Sequence, residues 1–308
     1  MGLIVVLTLA RGLHFVAVSV LCGASLFQLY APRAARSASA LSKSALQGWV
    51  LLLVVSGVAW AGGLVAAITG DLANLISADV LRGFFLETGF GRVWLFRFVL
   101  MLLVALVVVT APHASKASAD ASHKPSRRMH FVLYLSTAAL LISQAWIGHS
   151  FASAVAGDWI AIVVYAVHVL SAAVWIGGLW PLAQVLRAPS LAIEQRFAAL
   201  QSFSTVALLS VIVLVGSGMA NSFYRLGLTS GSLSTTYCFV IVVKIGLLGA
   251  ALMLASDNRY SETPKLLKPD LEARAMATLL RNILREQWLC AAILMAAAVL
   301  GLLSPMAA

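Results

Sequence analysis

Residues 165–182, YAVHVLSAAVWIGGLWPL, place a single ionisable imidazole, His168, within a run dominated by apolar and small residues. The run belongs to the apolar segment 158–186, which exceeds the roughly 20 residues that a helix needs to cross the hydrocarbon core of a bilayer. An ionisable side chain at membrane depth is unfavourable, so it normally faces the interior of a helix bundle or a wet cavity. The stretch therefore predicts a transmembrane helix whose histidine points at a partner.

The composition extends this prediction to the whole chain. Of the 308 residues, 61% are hydrophobic and 10% are charged, and the mean hydropathy is +0.97. Soluble domains average about 45–50% apolar and about 25% charged residues. Eight segments are apolar and long enough to cross a membrane: 3–30, 46–69, 92–111, 129–150, 158–186, 200–223, 235–256 and 283–304. The sequence therefore predicts an all-α integral membrane protein with eight transmembrane helices, which we call spans one to eight.

Lysine and arginine are unevenly distributed between the joints. Fifteen of them lie in the joints after spans one, three, five and seven, whereas only Arg82, Arg92 and Arg225 lie in the alternate joints. Basic residues accumulate on the cytoplasmic side of membrane proteins, so both termini are predicted to be periplasmic. Topology then explains the net charge of +10. The expected partner is the lipid bilayer and not nucleic acid.

The two longest joints carry helical patterns of their own. Residues 70–91 include an amphipathic stretch that predicts a short helix on the membrane surface. Residues 257–282 include a pattern that predicts a helical lead-in to span eight.

Spans one to three recur as spans five to seven. Three features of the first half recur in the same order in the second. His14 and Gly23 correspond to His168 and Gly177 at an offset of 154 residues, and residues 53–59 correspond to 214–220 at an offset of 161. Thr88 and Arg97 correspond to Thr235 and Lys244 at an offset of 147. A repeat of four spans keeps its orientation, so this predicts a parallel 4+4 internal repeat about an axis along the membrane normal. One membrane domain would then comprise a first repeat in residues 1–128, span four in 129–157 with its Gly-His, and a second repeat in 158–308.

Three histidines are candidates for a metal site in the outer half of the bundle. His14 and His168 should lie at matched depth, and His149 lies near the outer end of span four. Neutral imidazole is the commonest metal ligand and suits copper, zinc and haem iron. The alternative, that these histidines bond the carbonyls of neighbouring helices, remains open at this level.

Other polar and soft side chains lie within the spans. Met219 and Cys238 could add sulfur ligands, which suit Cu(I). Five residues could support the site or line a pathway: Arg11, Arg97, Lys244, Trp175 and Asn221. Arg97 and Lys244 could equally lock the helices by bonding carbonyls or bind an anionic ligand, and packing is the safer interpretation for Trp175.

Enzymatic motifs are absent from the sequence. It has no glycine-rich phosphate loop, no HExxH and no GxSxG. Its three cysteines form no CxxC pair, which argues against a disulfide framework or a zinc knuckle. The sequence thus predicts a protein that is not an enzyme.

Several stretches resemble the CopD family of bacterial copper-resistance inner-membrane proteins. They are GHSFASAVAGDWIAIVVYAVHVLSAAVWIGGLWPL (148–182), FSTVALLSVIVLVGSGMAN (203–221), YCFVIVVKIGLLGAALMLASDNR (237–259), RNILREQWL (281–289) and RGLHF (11–15). The resemblance implies copper transport or handling at the bacterial cytoplasmic membrane, with a periplasmic copper-binding protein of the CopC type as a partner. His149 and His168 fall on matching motifs, and His14 matches the histidine of the first helix.

Two other functions stay open. A b-type haem redox protein would use His14 and His168 as axial ligands, since facing histidines on bundle helices commonly hold haem. A membrane scaffold or sensor that docks a periplasmic copper protein would need none of the three histidines.

Overall fold

The computed structural model describes residues 2–39, 42–111, 127–147, 159–226 and 235–303. Eight helices among these residues are long and apolar enough to cross a membrane: Gly2–Tyr30, Lys43–Thr69, Gly89–Thr110, Arg127–Ile147, Ile160–Arg187, Ile193–Tyr224, Thr235–Lys265 and Glu272–Leu300. No strand occurs in the described residues. The all-α membrane fold with eight spans is confirmed, and the periplasmic placement of both termini stays a prediction.

Two of the spans change helix type towards one end. Span four is α-helical over Arg127–Ile142 and continues as a 3-10 helix over Ser143–Ile147. Span seven is α-helical over Thr235–Asp257, then π-helical over Asn258–Glu262. The segments that change type include Ser143 and Asn258, whose side chains form hydrogen bonds to other spans.

The joints hold short helices. One, Arg33–Ala38, follows span one. The joint after span two forms three helical pieces, Leu72–Ile76, Ala78–Arg82 and Gly83–Glu87, where the sequence predicted a single short helix. The predicted lead-in to span eight is confirmed as part of one continuous helix that begins at Glu272.

Side-chain hydrogen bonds mark the starts of spans two and three and the end of span three. The Ser42 hydroxyl accepts from the backbone N–H of Ala45 at 3.1 Å, and the Thr88 hydroxyl accepts from that of Gly91 at 2.8 Å. These side chains satisfy N–H groups that the first helical turn leaves without partners. Lys43 donates to the carbonyl oxygen of Val109 at 3.0 Å, next to the end of span three, where the helix dipole favours a cation.

Span one lies at the centre of the bundle. It packs against spans two, four, five and eight. Its side chains Val18, Leu21 and Phe27 are fully buried. A central helix of this kind is apolar on nearly all sides, which fits its lack of a clear polar face.

Spans one and five cross at two glycines, Gly23 and Gly177. A Cβ atom added to Gly23 would meet the carbonyl oxygen of Ala173 and the backbone of Gly177. A Cβ atom added to Gly177 would meet the carbonyl oxygen of Ser19 and the backbone of Gly23. Small residues at such crossings let two backbones approach closely in membranes.

Span seven is the least enclosed helix. It packs chiefly on span eight, and its side chains Phe239, Val242 and Met253 are exposed. Apolar side chains exposed at this depth face lipid in an eight-span membrane protein.

Candidate metal site

His14 is fully buried between spans two and three. Its Nδ1 lies 3.2 Å from the carbonyl oxygen of Leu53, and its Nε2 lies 2.8 Å from Nη2 of Arg97. Because a carbonyl oxygen can only accept, Nδ1 carries the proton and Nε2 accepts from the guanidinium. Both ring nitrogens of His14 are therefore engaged within the protein.

Arg97 is a fully buried cation held by neutral groups. Its Nη1 donates to the carbonyl oxygen of Leu140 at 2.9 Å and to the Ser143 hydroxyl at 2.7 Å. Its guanidinium carbon lies 5.4 Å from the ring centre of Trp60 and 5.0 Å from that of Trp94, within cation–π range. Together with His14, these contacts join spans one to four.

His168 has a different environment. Its side chain is half-buried, and its Nδ1 lies 3.1 Å from the carbonyl oxygen of Leu214 and 3.2 Å from the Ser217 hydroxyl. Within the described part of the chain, Nε2 of His168 has no hydrogen-bond partner. Lys244 of span seven interacts electrostatically with His168.

The contacts of the two histidines correspond position by position. Leu53 and Leu214, which accept from them, are related by the offset of 161 residues that the sequence predicted. Ser56 and Ser217 each donate to that same carbonyl at 3.2 Å. The correspondence supports the internal repeat, which itself stays a prediction.

The two halves differ in how a basic side chain, Arg97 or Lys244, interacts with the histidine. Arg97 bonds Nε2 of His14 directly, whereas Lys244 interacts electrostatically with His168. Both ring nitrogens of His14 are engaged, whereas Nε2 of His168 has no hydrogen-bond partner among the described residues.

The other predicted ligands are not gathered around one point. His149 lies outside the described residues. Met219 is 71% exposed on span six, whereas Cys238 and Asn221 are half-buried. Among the residues that the structure describes, no group of three or more His, Cys, Asp or Glu side chains is placed to hold a metal ion. The site of three histidines therefore stays a prediction.

The remaining residues predicted to support the site lie in the core or against aromatic rings. Trp175 is 1% exposed and belongs to the apolar core. The Arg11 guanidinium carbon lies 5.3 Å from the ring centres of both Phe15 and Trp60.

The geometry does not fit a haem held between His14 and His168. The His14 ring is fixed between Leu53 and Arg97, so its only lone pair is committed to a guanidinium. His168 is turned to span six through Leu214. Axial ligation of iron requires a free imidazole nitrogen, which His14 does not provide.

One polar region, around Glu286 of span eight, was not predicted from the sequence. A cavity of about 300 Å³ lies between spans five, six, seven and eight, and Glu286 lines it. The Glu286 carboxylate accepts from the Asn258 amide. The DNR stretch that ends at Arg259 was a visible signal, because it puts three polar side chains at the end of an apolar span.

Two family models match the chain. Residues 2–157 match the family model described as the N-terminal domain of copper resistance protein D-like proteins, and residues 197–300 match copper resistance protein D. The chain belongs to the copper resistance protein D family. Together the two matches cover seven of the eight spans and leave out the whole of span five, which carries His168.

Two relatives are similar along much of the chain. Inner membrane protein YebZ of Escherichia coli (strain K12) is 27% identical over 221 residues, covering 71% of this chain and 69% of YebZ. Copper resistance protein D of Pseudomonas syringae pv. tomato is 26% identical over 301 residues and 92% of both chains. The eight spans and these relatives make the chain a multi-pass protein of the inner membrane.

A longer relative shares only part of its length. Copper transport protein CutJ of Bacillus subtilis (strain 168) is 26% identical over 191 residues, covering 61% of this chain but 33% of CutJ. No solved structure matches the chain.

Proposed function

We propose that this protein transports copper across the inner membrane and that His168 is a copper ligand in the outer half of the bundle. The observation that carries the proposal is the geometry of His168. Its Nδ1 is tied to the Leu214 carbonyl at 3.1 Å, while Nε2 has no partner among the described residues. Histidines that bind metals usually donate their second ring N–H to a carbonyl or carboxylate, which fixes the tautomer and the ring orientation.

His14 has the same Nδ1 contact but not the same chemistry. Its Nε2 accepts from Arg97 at 2.8 Å, so a copper ion could bind there only after the guanidinium moved. We therefore infer that His14 holds spans one to three together and that His168 binds the transported copper ion.

Copper needs further ligands beside a single imidazole. The sequence supplies His149, Met219 and Cys238 as candidates, and sulfur ligands would favour Cu(I). The similarity to copper resistance protein D and to a copper transport protein supports copper as the cargo. A periplasmic protein of the CopC type is the proposed donor or acceptor at the outer face.

The test compares His168→Ala with His130→Ala in detergent-purified protein and in cells. His130 is a matched control, since it is also a histidine within a span and is 8% exposed. We expect His168→Ala to weaken copper binding by about tenfold or more, as loss of a group that supports a metal site typically does. Copper accumulation should fall in parallel, and His130→Ala should match the native protein in both assays.

Unchanged copper binding and accumulation in His168→Ala, at native expression and thermal stability, would overturn the proposal. A scaffold or sensor that docks a copper protein would give that result.

A further inference from the structure

The cavity between spans five to eight opens between two helices that stand apart. In the described residues, spans six and seven do not pack side by side, whereas spans two and three, their counterparts in the predicted repeat, do. Leu208 of span six is 41% exposed, Tyr260 of span seven is 68% exposed, and both line the cavity. The cavity therefore opens sideways between spans six and seven, towards the surrounding lipid.

The same region of the first half is filled by side chains. Four cavity residues have counterparts under the predicted repeat that are buried in one apolar cluster: Trp175, Ala207, Val211 and Ala255 correspond to Leu21, Leu46, Val50 and Val108. At Ala207 and Ala255 the counterpart is the larger residue. A ligand that fills the same space in the second half should therefore be apolar over most of its length.

The cavity walls are apolar except towards one end. Phe203, Val211 and Leu252 are among the apolar lining residues, and the polar ones include Asn258 and Arg259. These two come from the end of span seven that the basic joints predict to be cytoplasmic. A mostly apolar cavity with a few polar groups that fix orientation is typical of ligand sites, which begin at about 300 Å³. This cavity therefore suits an amphipathic molecule whose polar end lies at the cytoplasmic side.

Arg259 supplies the positive charge of the lining. Its Nη1 donates to the Ser204 hydroxyl of span six at 2.6 Å, while its Nε and Nη2 have no hydrogen-bond partner among the described residues. A guanidinium binds phosphate through two parallel N–H groups. Arg259 can therefore keep its bond to Ser204 and bind a phosphate through Nε and Nη2.

Glu286 supplies the negative charge and lacks a cation. Its side chain is 2% exposed, Oε1 accepts from the Asn258 amide, and Oε2 has no hydrogen-bond partner among the described residues. The ion pair found in those residues joins Glu262 to Lys265 instead. A buried carboxylate without a cation is unfavourable. A primary ammonium, which has three N–H donors, would provide both the charge and a bond to Oε2.

We propose that this cavity binds one phosphatidylethanolamine molecule, with its phosphate on Arg259 and its ammonium on Glu286. One acyl chain would then lie along the apolar walls between spans six and seven and connect two helices that do not pack on each other. Phosphatidylglycerol offers the phosphate but no ammonium, and a choline headgroup has no N–H for Oε2. The inference does not depend on the proposed copper transport.

The test is native mass spectrometry of the full-length purified protein after delipidation. The protein is titrated with phosphatidylethanolamine or with phosphatidylglycerol that carries the same acyl chains. We expect one phosphatidylethanolamine per protein, bound about tenfold more tightly than phosphatidylglycerol, because one charge-assisted hydrogen bond distinguishes the two lipids. The same phosphatidylethanolamine should raise the melting temperature of the delipidated protein.

Variants at the two charged residues separate the two contacts. Glu286→Gln should reduce phosphatidylethanolamine binding to the level of phosphatidylglycerol, and Arg259→Gln should weaken both lipids about tenfold. The matched controls lie outside the cavity lining: Glu262→Gln, where the acid is 8% exposed and paired with Lys265, and Arg285→Gln on the exposed face of span eight. Both controls should bind lipid like the native protein.

A third variant fills the space itself. Ala207→Leu introduces the residue that the first half has at the corresponding position, Leu46, and should release the lipid while the protein stays folded. Should Glu286→Gln or Arg259→Gln melt early, this variant decides, and a folded Ala207→Leu protein that keeps its lipid contradicts the site. Equal affinity for both lipids, unchanged in every variant, would show only non-specific lipid at the protein surface and would overturn the proposal.

Discussion

Gly23 of span one and Gly177 of span five contact each other backbone to backbone, with no side chain between them. The contact is reciprocal: each glycine also faces the residue four positions before its partner, Ala173 in one direction and Ser19 in the other. Reciprocal contacts of this kind are typical of a twofold axis. The crossing therefore sits where the axis of the predicted repeat would pass.

The crossing should not tolerate a larger side chain. We expect Gly177→Val to lower the free energy of unfolding by about 1–3 kcal/mol, the usual effect of overpacking a core. Gly216→Val is the control, because a Cβ atom there meets nothing within 4 Å. Thermal melts in detergent measure both variants, and equal melting temperatures would contradict the close approach.

Arg97 should matter for stability and not for copper. Arg97→Met leaves Nε2 of His14 and the Ser143 hydroxyl without the donor that Arg97 supplies, and a buried polar group that loses its partner costs about 1–3 kcal/mol. We expect a lower melting temperature with unchanged copper stoichiometry. A stable Arg97→Met protein that binds less copper would instead make Arg97 part of the site.

Removal of the charge at Lys244 should strengthen copper binding. The Lys244 ammonium acts electrostatically on His168, so it also repels a cation bound there. Lys244→Met should therefore bind copper about tenfold more tightly, since repulsion between two unit charges in a partly buried site exceeds about 1 kcal/mol. Lys265→Met is the control at a distance. Equal affinities in a competition titration would remove Lys244 from the neighbourhood of the copper ion.

The purified protein should be colourless in the Soret region. His14 has no ring nitrogen free for iron, because Leu53 and Arg97 occupy both. An absorption spectrum of protein purified from haem-replete cells checks this. A Soret band that disappears in His168→Ala would show that the histidines do hold haem.

The predicted orientation can be read by cysteine labelling. In a protein without its native cysteines, Asp79→Cys lies in the joint after span two and Ser37→Cys in the joint after span one. A membrane-impermeant maleimide added to spheroplasts should label the first and not the second, which should react only after lysis. The reverse pattern would invert the topology and place the Glu286 cavity on the periplasmic side.

The spans were predictable because hydropathy is a property of consecutive residues. The helix of span eight begins at Glu272, before the apolar run that starts at residue 283, as the predicted lead-in requires, because a helix can continue beyond the lipid without remaining apolar. The repeat was visible in the spacing of His14 and His168, and the two do share a contact to equivalent leucine carbonyls.

The difference between the two histidines was not predictable. Whether a ring nitrogen is engaged depends on which side chain of another span reaches it, and Arg97 and Lys244 occupy matching positions in the sequence. The cavity at Glu286 was not predictable either, because it results from how four helices pack; the DNR stretch indicated only that span seven ends in polar side chains. A buried carboxylate looks like an ordinary helix-end residue when only neighbouring residues are read.

The buried arginine also sets an order of assembly. Span three leaves the ribosome before span four, so Arg97 emerges before Leu140 and Ser143, the groups of span four that it bonds. A lone arginine at the centre of a membrane helix opposes insertion by about 2.5–3.5 kcal/mol. His14 is already synthesised and bonds Arg97 in the finished protein, so span one can receive span three during translation and hold it until span four arrives.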